Sequence, residues 1–492
     1  MIELPILNYS FDEEAGGFGE PAKRPEPKRN LGEHLAVAII AIGTIVLVLA
    51  LFGIGTPATP ATRGDVARVW TMFAASFGAL VVGGMMIYWF RYKDATPGIK
   101  HDGNTFHNIQ RRGMLAWGLG VFLTGFCIVL YWFRELRALG MPDVFETSMR
   151  LLDPLSQALR GHAADQWFVY GFLYTILITV FGVRMILKYR HNRYQIIRTV
   201  SVMFFQLGFA FILPGVLMAV NQPEFYFTYF WPLKPNYAWP GDTHYILYQG
   251  DVLNMVGVFM IGFGVFAILV LTPVLTYFFG KRWYCSWVCG CGGLAETFGD
   301  PWRQLSSKSR TAWNVERVVI HCVLLFVIAT TIVLWLNAYV DDRILGASAY
   351  WVKKVYVFMI INAFSGVVGV GFYPLMGSRV WCRFGCPMAA ILGLIQRYFS
   401  RFRITTNGAQ CMSCGNCSTY CEMGIDVRAY AQRGENIVRA SCVGCGVCAA
   451  VCPRGVLKLE NGARGNRYEA DADGPLSQFI HDLTHAPRKH EK

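Results

Sequence analysis

Apolar residues fall into eight long runs with polar breaks between them. The runs lie near residues 35–55, 69–90, 114–133, 167–187, 199–220, 255–279, 316–337 and 355–376. Each approaches or exceeds the roughly 20 residues that a helix needs to cross a hydrocarbon core about 30 Å thick. The pattern predicts a polytopic α-helical membrane protein with about eight transmembrane helices. Residues 1–34 are a polar tail carrying the basic run from Lys23 to Arg29, and the apolar run after it is too long for a cleavable leader. Residues 221–254 are unusually aromatic, with Phe225, Tyr226, Phe227, Tyr229, Phe230 and Trp231 nearly consecutive and Tyr237, Trp239, Tyr245 and Tyr248 following. That composition predicts a belt at the head-group level. Residues 388–399 read as a helix leading out of the membrane part into a cysteine-rich segment. The expected division is a tail at 1–34, a bundle of five spans at 35–254, a three-span core with cysteine motifs at 255–400, an α+β domain at 401–460 and a flexible tail at 461–492.

The cysteine-rich segment contains the same spacing twice: Cys411-x2-Cys414-x2-Cys417-x3-Cys421 and Cys442-x2-Cys445-x2-Cys448-x3-Cys452-Pro453. This is the two-cluster bacterial ferredoxin pattern, in which the fourth cysteine of each run ligates the other cluster. It assigns Cys411, Cys414, Cys417 and Cys452 to one [4Fe–4S] cluster, and Cys442, Cys445, Cys448 and Cys421 to a second. Three thiolates at this spacing wrap one corner of a cubane. Gly415, Gly444 and Gly446 let the backbone approach the sulfurs. Zinc sites usually draw four ligands from two pairs, so two interlocked runs of four argue against zinc. Two adjacent clusters imply one-electron transfer and do not by themselves imply any bond change.

Composition agrees with a membrane location. Hydrophobic residues make up 54% of the chain and charged residues 16%, against about 25% charged in soluble proteins. The clustered cysteines read as metal ligands and not as a secreted disulfide framework. The net charge of +13 has no basic stripe or recognition motif to suggest nucleic acid. It fits positive-inside loops beside anionic lipid. Lys and Arg gather at the N-terminus, in 91–113, 188–198 and 280–315, and after Arg379. Eight spans put these on one side, which places both termini and the ferredoxin part in the cytoplasm of a bacterium, beneath its inner membrane. The 134–166 loop weakens that contrast with Arg134, Arg137, Arg150 and Arg160.

Two further motifs sit where the sixth and eighth runs end. Gly280, Arg282, Cys285 and Cys289 recur 97 residues later as Gly377, Arg379, Cys382 and Cys386. The offset suggests two related halves around a pseudo-two-fold axis. If helical, a Cys-x3-Cys pair puts both sulfurs on one face, and two facing pairs supply four thiolates for a third Fe–S cluster or another thiophilic metal. The arginine three residues before each first cysteine would balance their charge. Cys291 is an extra thiol that could replace Cys289. The alternatives are reduced structural thiols or a redox-active dithiol.

With these motifs the chain resembles the membrane-bound polyferredoxins, a family that includes NapH-type quinol dehydrogenase subunits, the NosR C-terminal region and CcoG-type oxidase-assembly proteins. The likeness covers residues 255–455. Gly290 and Cys291 depart from it, standing where the family usually has Pro, as does Glu422, which follows Cys421 in place of Pro. The resemblance implies electron transfer between a membrane quinone pool and a protein redox partner. It also implies two other roles: reducing a metal such as copper during assembly of a respiratory enzyme, or wiring a larger respiratory complex as an integral subunit. No catalytic residue is assigned, and a quinol dehydrogenase-type activity stays open. Glu296 and Asp300 are candidate acceptors of quinol protons, or else an exposed helix face and a turn. No Cys-x2-Cys-His for c-type haem occurs, and His321 lacks the facing histidine that haem b needs.

Overall fold

The computed structural model describes residues 11–12, 17–18, 30–54, 63–93, 98, 113–139, 144–407 and 410–461. The expected terminal tails fall almost entirely outside these. Among the described residues, eight helices are long and apolar enough to cross a bilayer: Leu31–Ala50, Gly64–Tyr92, Met114–Trp132, Gln166–Lys188, Arg193–Ala219, Met255–Phe279, Arg310–Tyr339 and Ser348–Gly371. This is a multi-pass membrane protein. Each helix coincides with one expected run, and the ends differ because capping residues, not hydropathy, set them. Asn30, Asp165, Asn192, Asn254 and Ser309 each accept a backbone N–H of the first turn, which satisfies donors the helix itself leaves free. Large apolar side chains such as Phe122, Leu269 and Leu325 stay exposed on the bundle surface, where lipid would solvate them.

Between the third and fourth spans, the helix Val144–Arg160 packs Leu151 and Leu152 onto the bundle. Its last residue, Arg160, is buried. The guanidinium lies 4.5 Å from the Phe168 ring centroid and donates to Ala163 O at 3.0 Å. One of the arginines that blurred the charge asymmetry thus serves a local turn.

The aromatic segment after the fifth span is only partly at the surface: Tyr245 and Tyr248 are exposed, but its first part is not. Phe225, Phe230 and Trp239 are buried, and the segment turns back into the bundle. Phe225 stacks on Tyr237 at 4.5 Å, Trp231 Nε1 donates to Thr331 Oγ1 at 3.2 Å, and Trp335 Nε1 donates to Ala238 O at 2.6 Å. Irregular backbone is tolerated at membrane depth only where protein buries it and pairs its polar groups. The indole donors, the Thr331 hydroxyl and the Tyr237 hydroxyl, which accepts from Tyr226 N at 3.0 Å, meet part of that need.

After the last span the helix Pro387–Tyr398 leads into the ferredoxin part. There strands β1 (Phe402–Thr406) and β2 (Leu457–Asn461) pair antiparallel, with Phe402 opposite Asn461 and Thr406 opposite Leu457. The two strands clamp the ends of the cysteine-rich segment together, and Ile404 adds a bridge to Ile437 in its middle.

Candidate iron–sulfur centres

The two ferredoxin runs repeat at a constant offset of 31 residues, and the backbone repeats with them. Ser413 and Gly444 have φ of +59° and +64°, Gly415 and Gly446 of +80° and +77°, and Gly424 and Gly455 of +64° and +63°. Each run then enters a short helical turn, Asn416–Thr419 or Val447–Ala450. Successive left-handed residues are what turn the chain tightly enough to aim three sulfurs at one point.

Two cavities result. One is lined by Cys411, Cys414, Cys417 and Cys452, the other by Cys421, Cys442, Cys445 and Cys448. Each encloses about 360 Å³, open mouth included. Among the described residues no three His, Cys, Asp or Glu side chains close tightly enough for a single metal ion. Four sulfurs around a shared cavity suit a larger body such as a cubane better than one ion with bonds of about 2.3 Å. Burial pushes the Cys442 thiol up to about 12 and the Cys417 thiol up to about 11. Such thiols give up their protons only to a metal that compensates the charge.

The two cavities differ in setting. Cys414 is exposed, whereas Cys442 and Cys448 are buried. The Cys442 cavity faces the bundle: Tyr194 Oη donates to Gly444 O at 2.9 Å, Gln195 Nε2 to Cys445 O at 2.8 Å, and Gln396 Nε2 to Cys442 O at 2.8 Å. We call it the inner cavity and the other the outer one.

The membrane motifs converge just beyond. Cys285, Cys289, Cys382 and Cys386 are buried in one apolar core, and Cys291 packs against it. They do not share helix faces as the spacing suggested. Cys285 ends the short turn Arg282–Cys285, while Cys289 is extended and precedes the helix Gly290–Glu296. Cys386 likewise is extended and precedes Pro387–Tyr398, its Sγ accepting from Ala389 N at 3.4 Å. Gly280 and Gly377, both at positive φ, turn each span into its motif. The arginine symmetry breaks. Arg379 Nη1 lies 3.6 Å from Cys382 Sγ, but Arg282 leaves the thiols, covers the Phe402 ring at 4.8 Å and donates to Asn461 at 3.0 Å. Burial pushes Cys285 up to about 12, opposed by Lys281.

The first motif penetrates deep into the bundle. A side chain at Gly290 would collide with Gln206 Oε1 and Tyr229 Oη. Gln206 lies midway along the fifth span, and Tyr229 belongs to the aromatic segment entering from the opposite side. Tyr284 Oη donates to Thr228 O at 2.6 Å. Two re-entrant segments therefore meet tip to tip beside the cysteines.

A buried charged seam runs beside the junction of this thiol core and the inner cavity, where Ser286 Oγ also donates to Val443 O at 2.9 Å. Arg184, Lys188, Arg198, Arg303 and Arg379 face Glu296, Asp300 and Glu422, all buried. Arg184 and Lys188 hold Asp300 Oδ2 at 2.8 and 2.7 Å, and Arg303 holds Oδ1 at 3.0 Å. Arg198 lies 2.6 Å from Glu296 Oε2, and Arg379 pairs with Glu296 Oε1. Burial alone would raise Asp300, but Lys188, Arg184 and Arg303 hold it far below the usual carboxylate range. Burial raises Glu296 against the pull of Arg198 and Arg379. Glu296 and Asp300 are therefore neither an exposed face nor a simple turn, and Asp300 is engaged by three cations. The surplus of cations suits a site flanked by thiolates and metal–sulfur clusters.

Comparison with known proteins agrees. Residues 410–457 match the 4Fe-4S dicluster domain, and 261–310 and 359–406 each match one 4Fe-4S binding domain family. These matches fit the likeness to membrane polyferredoxins that the cysteine motifs carry. Because one family profile matches twice, the membrane motifs are copies of a single unit. The chain is 27% identical over 154 residues to YccM of Escherichia coli (strain K12), a protein named for electron transport, covering 30% of this chain and 43% of YccM. It is 24% identical over 155 residues to the methylamine utilization ferredoxin-type protein MauN of Methylobacillus flagellatus, covering 31% of this chain and 52% of MauN. The chain thus spans about half the length of these relatives. No solved structure matches.

Sequence reasoning did not single out Arg184 or Gln206, noted Glu422 only as a departure from Pro after Cys421, and named Tyr229 only within the aromatic segment. A charge or amide inside an apolar run is a signal in itself, and it marks Arg184 and Gln206. Tyr229 was hidden in a segment read as an interfacial belt.

Proposed function

We propose that this protein moves single electrons between a quinol in the membrane and a soluble redox partner in the bacterial cytoplasm. Its ferredoxin part and both termini lie on the cytoplasmic face of the inner membrane, as the Lys and Arg distribution favours. In this reading Cys411, Cys414, Cys417 and Cys452 hold an outer [4Fe–4S] cluster, and Cys421, Cys442, Cys445 and Cys448 an inner one. Cys285, Cys382, Cys386 and either Cys289 or Cys291 hold a third Fe–S centre. Bound clusters supply reversible one-electron chemistry. The protein's own residues do the rest. Arg303 and Arg379 offset thiolate charge, the buried apolar core excludes water, and the outer cavity, with Cys414 exposed, presents one centre to a partner.

The observation that carries the reading is the contiguity of the three cysteine sets: the membrane thiols share one core with the inner run, Arg379 and Arg303 reach a thiol of each, and the inner and outer cavities are built from interlocked runs. A chain that only reduced a copper ion or only scaffolded a complex would not need this contiguity. Electron paramagnetic resonance on purified protein, reduced first with dithionite and then with a quinol, tests it. Three cluster signals, with quinol reducing at least one when the native partner is present, are expected. Clusters that quinol never reduces would rule out the quinol half of the reading. Labelling of a C-terminal tag from outside intact cells would rule out the orientation.

A further inference from the structure

Glu422 differs from its counterpart in the repeat. It follows Cys421, whereas the equivalent Cys452 is followed by Pro453. Its side chain is buried, and each oxygen meets a different arginine. Arg379 Nη2 donates to Oε1 at 3.0 Å, and Arg303 Nη1 lies 3.1 Å from Oε2. Each arginine in turn reaches a different thiol. Arg379 Nη1 is 3.6 Å from Cys382 Sγ, and Arg303 Nη1 is 3.9 Å from Cys445 Sγ. Cys382, Arg379, Glu422, Arg303 and Cys445 form one unbroken string. It joins the membrane thiols to the inner cavity, and a proline at position 422 would cut it.

We propose that Glu422 is a positioning residue that ties the reduction potentials of two redox centres together, holding Arg379 against Cys382 and Arg303 against Cys445. The proposal rests on the reading of the membrane cysteines as a redox centre. The physical reason is electrostatic. In a buried site a fixed negative charge opposes the arrival of an electron, and an uncompensated cation favours it. Neutralising Glu422 removes an anion shared by both centres and leaves both guanidinium groups less compensated. Both centres then become easier to reduce. The outer cavity, whose residues this string does not touch, keeps its potential. Each arginine retains a second carboxylate, Asp300 for Arg303 and Glu296 for Arg379, so the seam keeps partners when Glu422 is neutralised.

The test is a redox titration of the full-length, cluster-loaded protein followed by electron paramagnetic resonance, comparing wild type with Glu422→Gln, Glu422→Pro and Glu422→Asp. The Pro variant installs the residue found at the equivalent place in the outer half and carries the same test if the Gln variant folds poorly. The expected result is that the inner-cluster and membrane-centre signals both titrate at higher potential in the Gln and Pro variants. The outer-cluster signal stays in place, and Asp restores both shifts at least in part. Three wild-type signals with a shift in the inner cluster alone, or in neither centre, would overturn the coupling. Only two signals in the wild type would instead overturn the membrane-centre reading on which it rests. A purely structural role predicts lost iron in the Gln and Pro variants with unshifted signals in what remains, and that result also overturns the proposal.

Discussion

The outer and inner halves of the ferredoxin repeat share a backbone but not an environment. At matched positions Ser413 and Gly444 take nearly the same left-handed conformation. A serine serves in the outer half. In the inner half a Cβ on Gly444 would stand 2.7 Å from Arg282 Cβ and 3.0 Å from Phe402 Cζ. The other pairs repeat the contrast. Around Gly455 there is open space, whereas Gly424 is pressed by Ser307 O and Arg383. Gly415 has one distant neighbour, whereas Gly446 lies against Tyr194. Outer positions need only the positive φ, while inner positions need that φ and also the absence of a side chain. The repeat thus makes two cluster cradles, and local departures from it make one of them a docking surface.

Losing a ligand should show the contrast most strongly. Cys442→Ser and Cys417→Ser should each lower ferredoxin-bound iron by about half, one cluster of two. Only the inner variant should also loosen the domain from the bundle, read as faster proteolysis near residues 399–402. Equal loosening in both would break the distinction. Next comes the seam, which backs the inner half alone. Asp300→Asn should cost about 3–5 kcal/mol, the usual effect of breaking a buried ion pair, measured by unfolding in detergent. Its pH dependence has a definite sign. The folded-state pKa of Asp300 is depressed, so its contribution is complete above the unfolded value of about 4 and is lost as pH falls below it. The gap between wild type and Asp300→Asn should therefore be constant near neutrality and shrink in acid.

Smaller effects follow at the glycines. Gly444→Ala should cost about 2–3 kcal/mol through a clash on top of an unfavourable φ, whereas Gly455→Ala should cost only about 1 kcal/mol, from φ alone. Ser413→Gly should change stability by less than about 1 kcal/mol. A larger response at Ser413 than at Gly444 would reverse the comparison.

The spans and the ferredoxin runs were legible in the sequence because both are local signals. Hydropathy over a window predicted eight helices, and cysteine spacing predicted the sets that line each cavity. The seam was not legible, because its partners come from distant segments: Arg184 meets Asp300 across 116 residues, and Arg379 meets Glu422 across 43. Lys188, Arg198 and Arg303 counted as loop charges near lipid, when packing removes them from it. The aromatic segment misled for a related reason. Aromatic residues suit both a membrane interface and a buried plug, and only the polar partners on other helices, such as Thr331 and Tyr284, decide between them.

The meeting of the two re-entrant tips at Gly290 carries a consequence for the cell's energy balance. A protein that carries charge inside a bilayer must not let ions or water follow, or the proton gradient would drain. Here Tyr229 and Gln206 crowd Gly290 so closely that a methyl group would not fit. At that point the packing leaves no room for a hydrated ion to pass between the two tips.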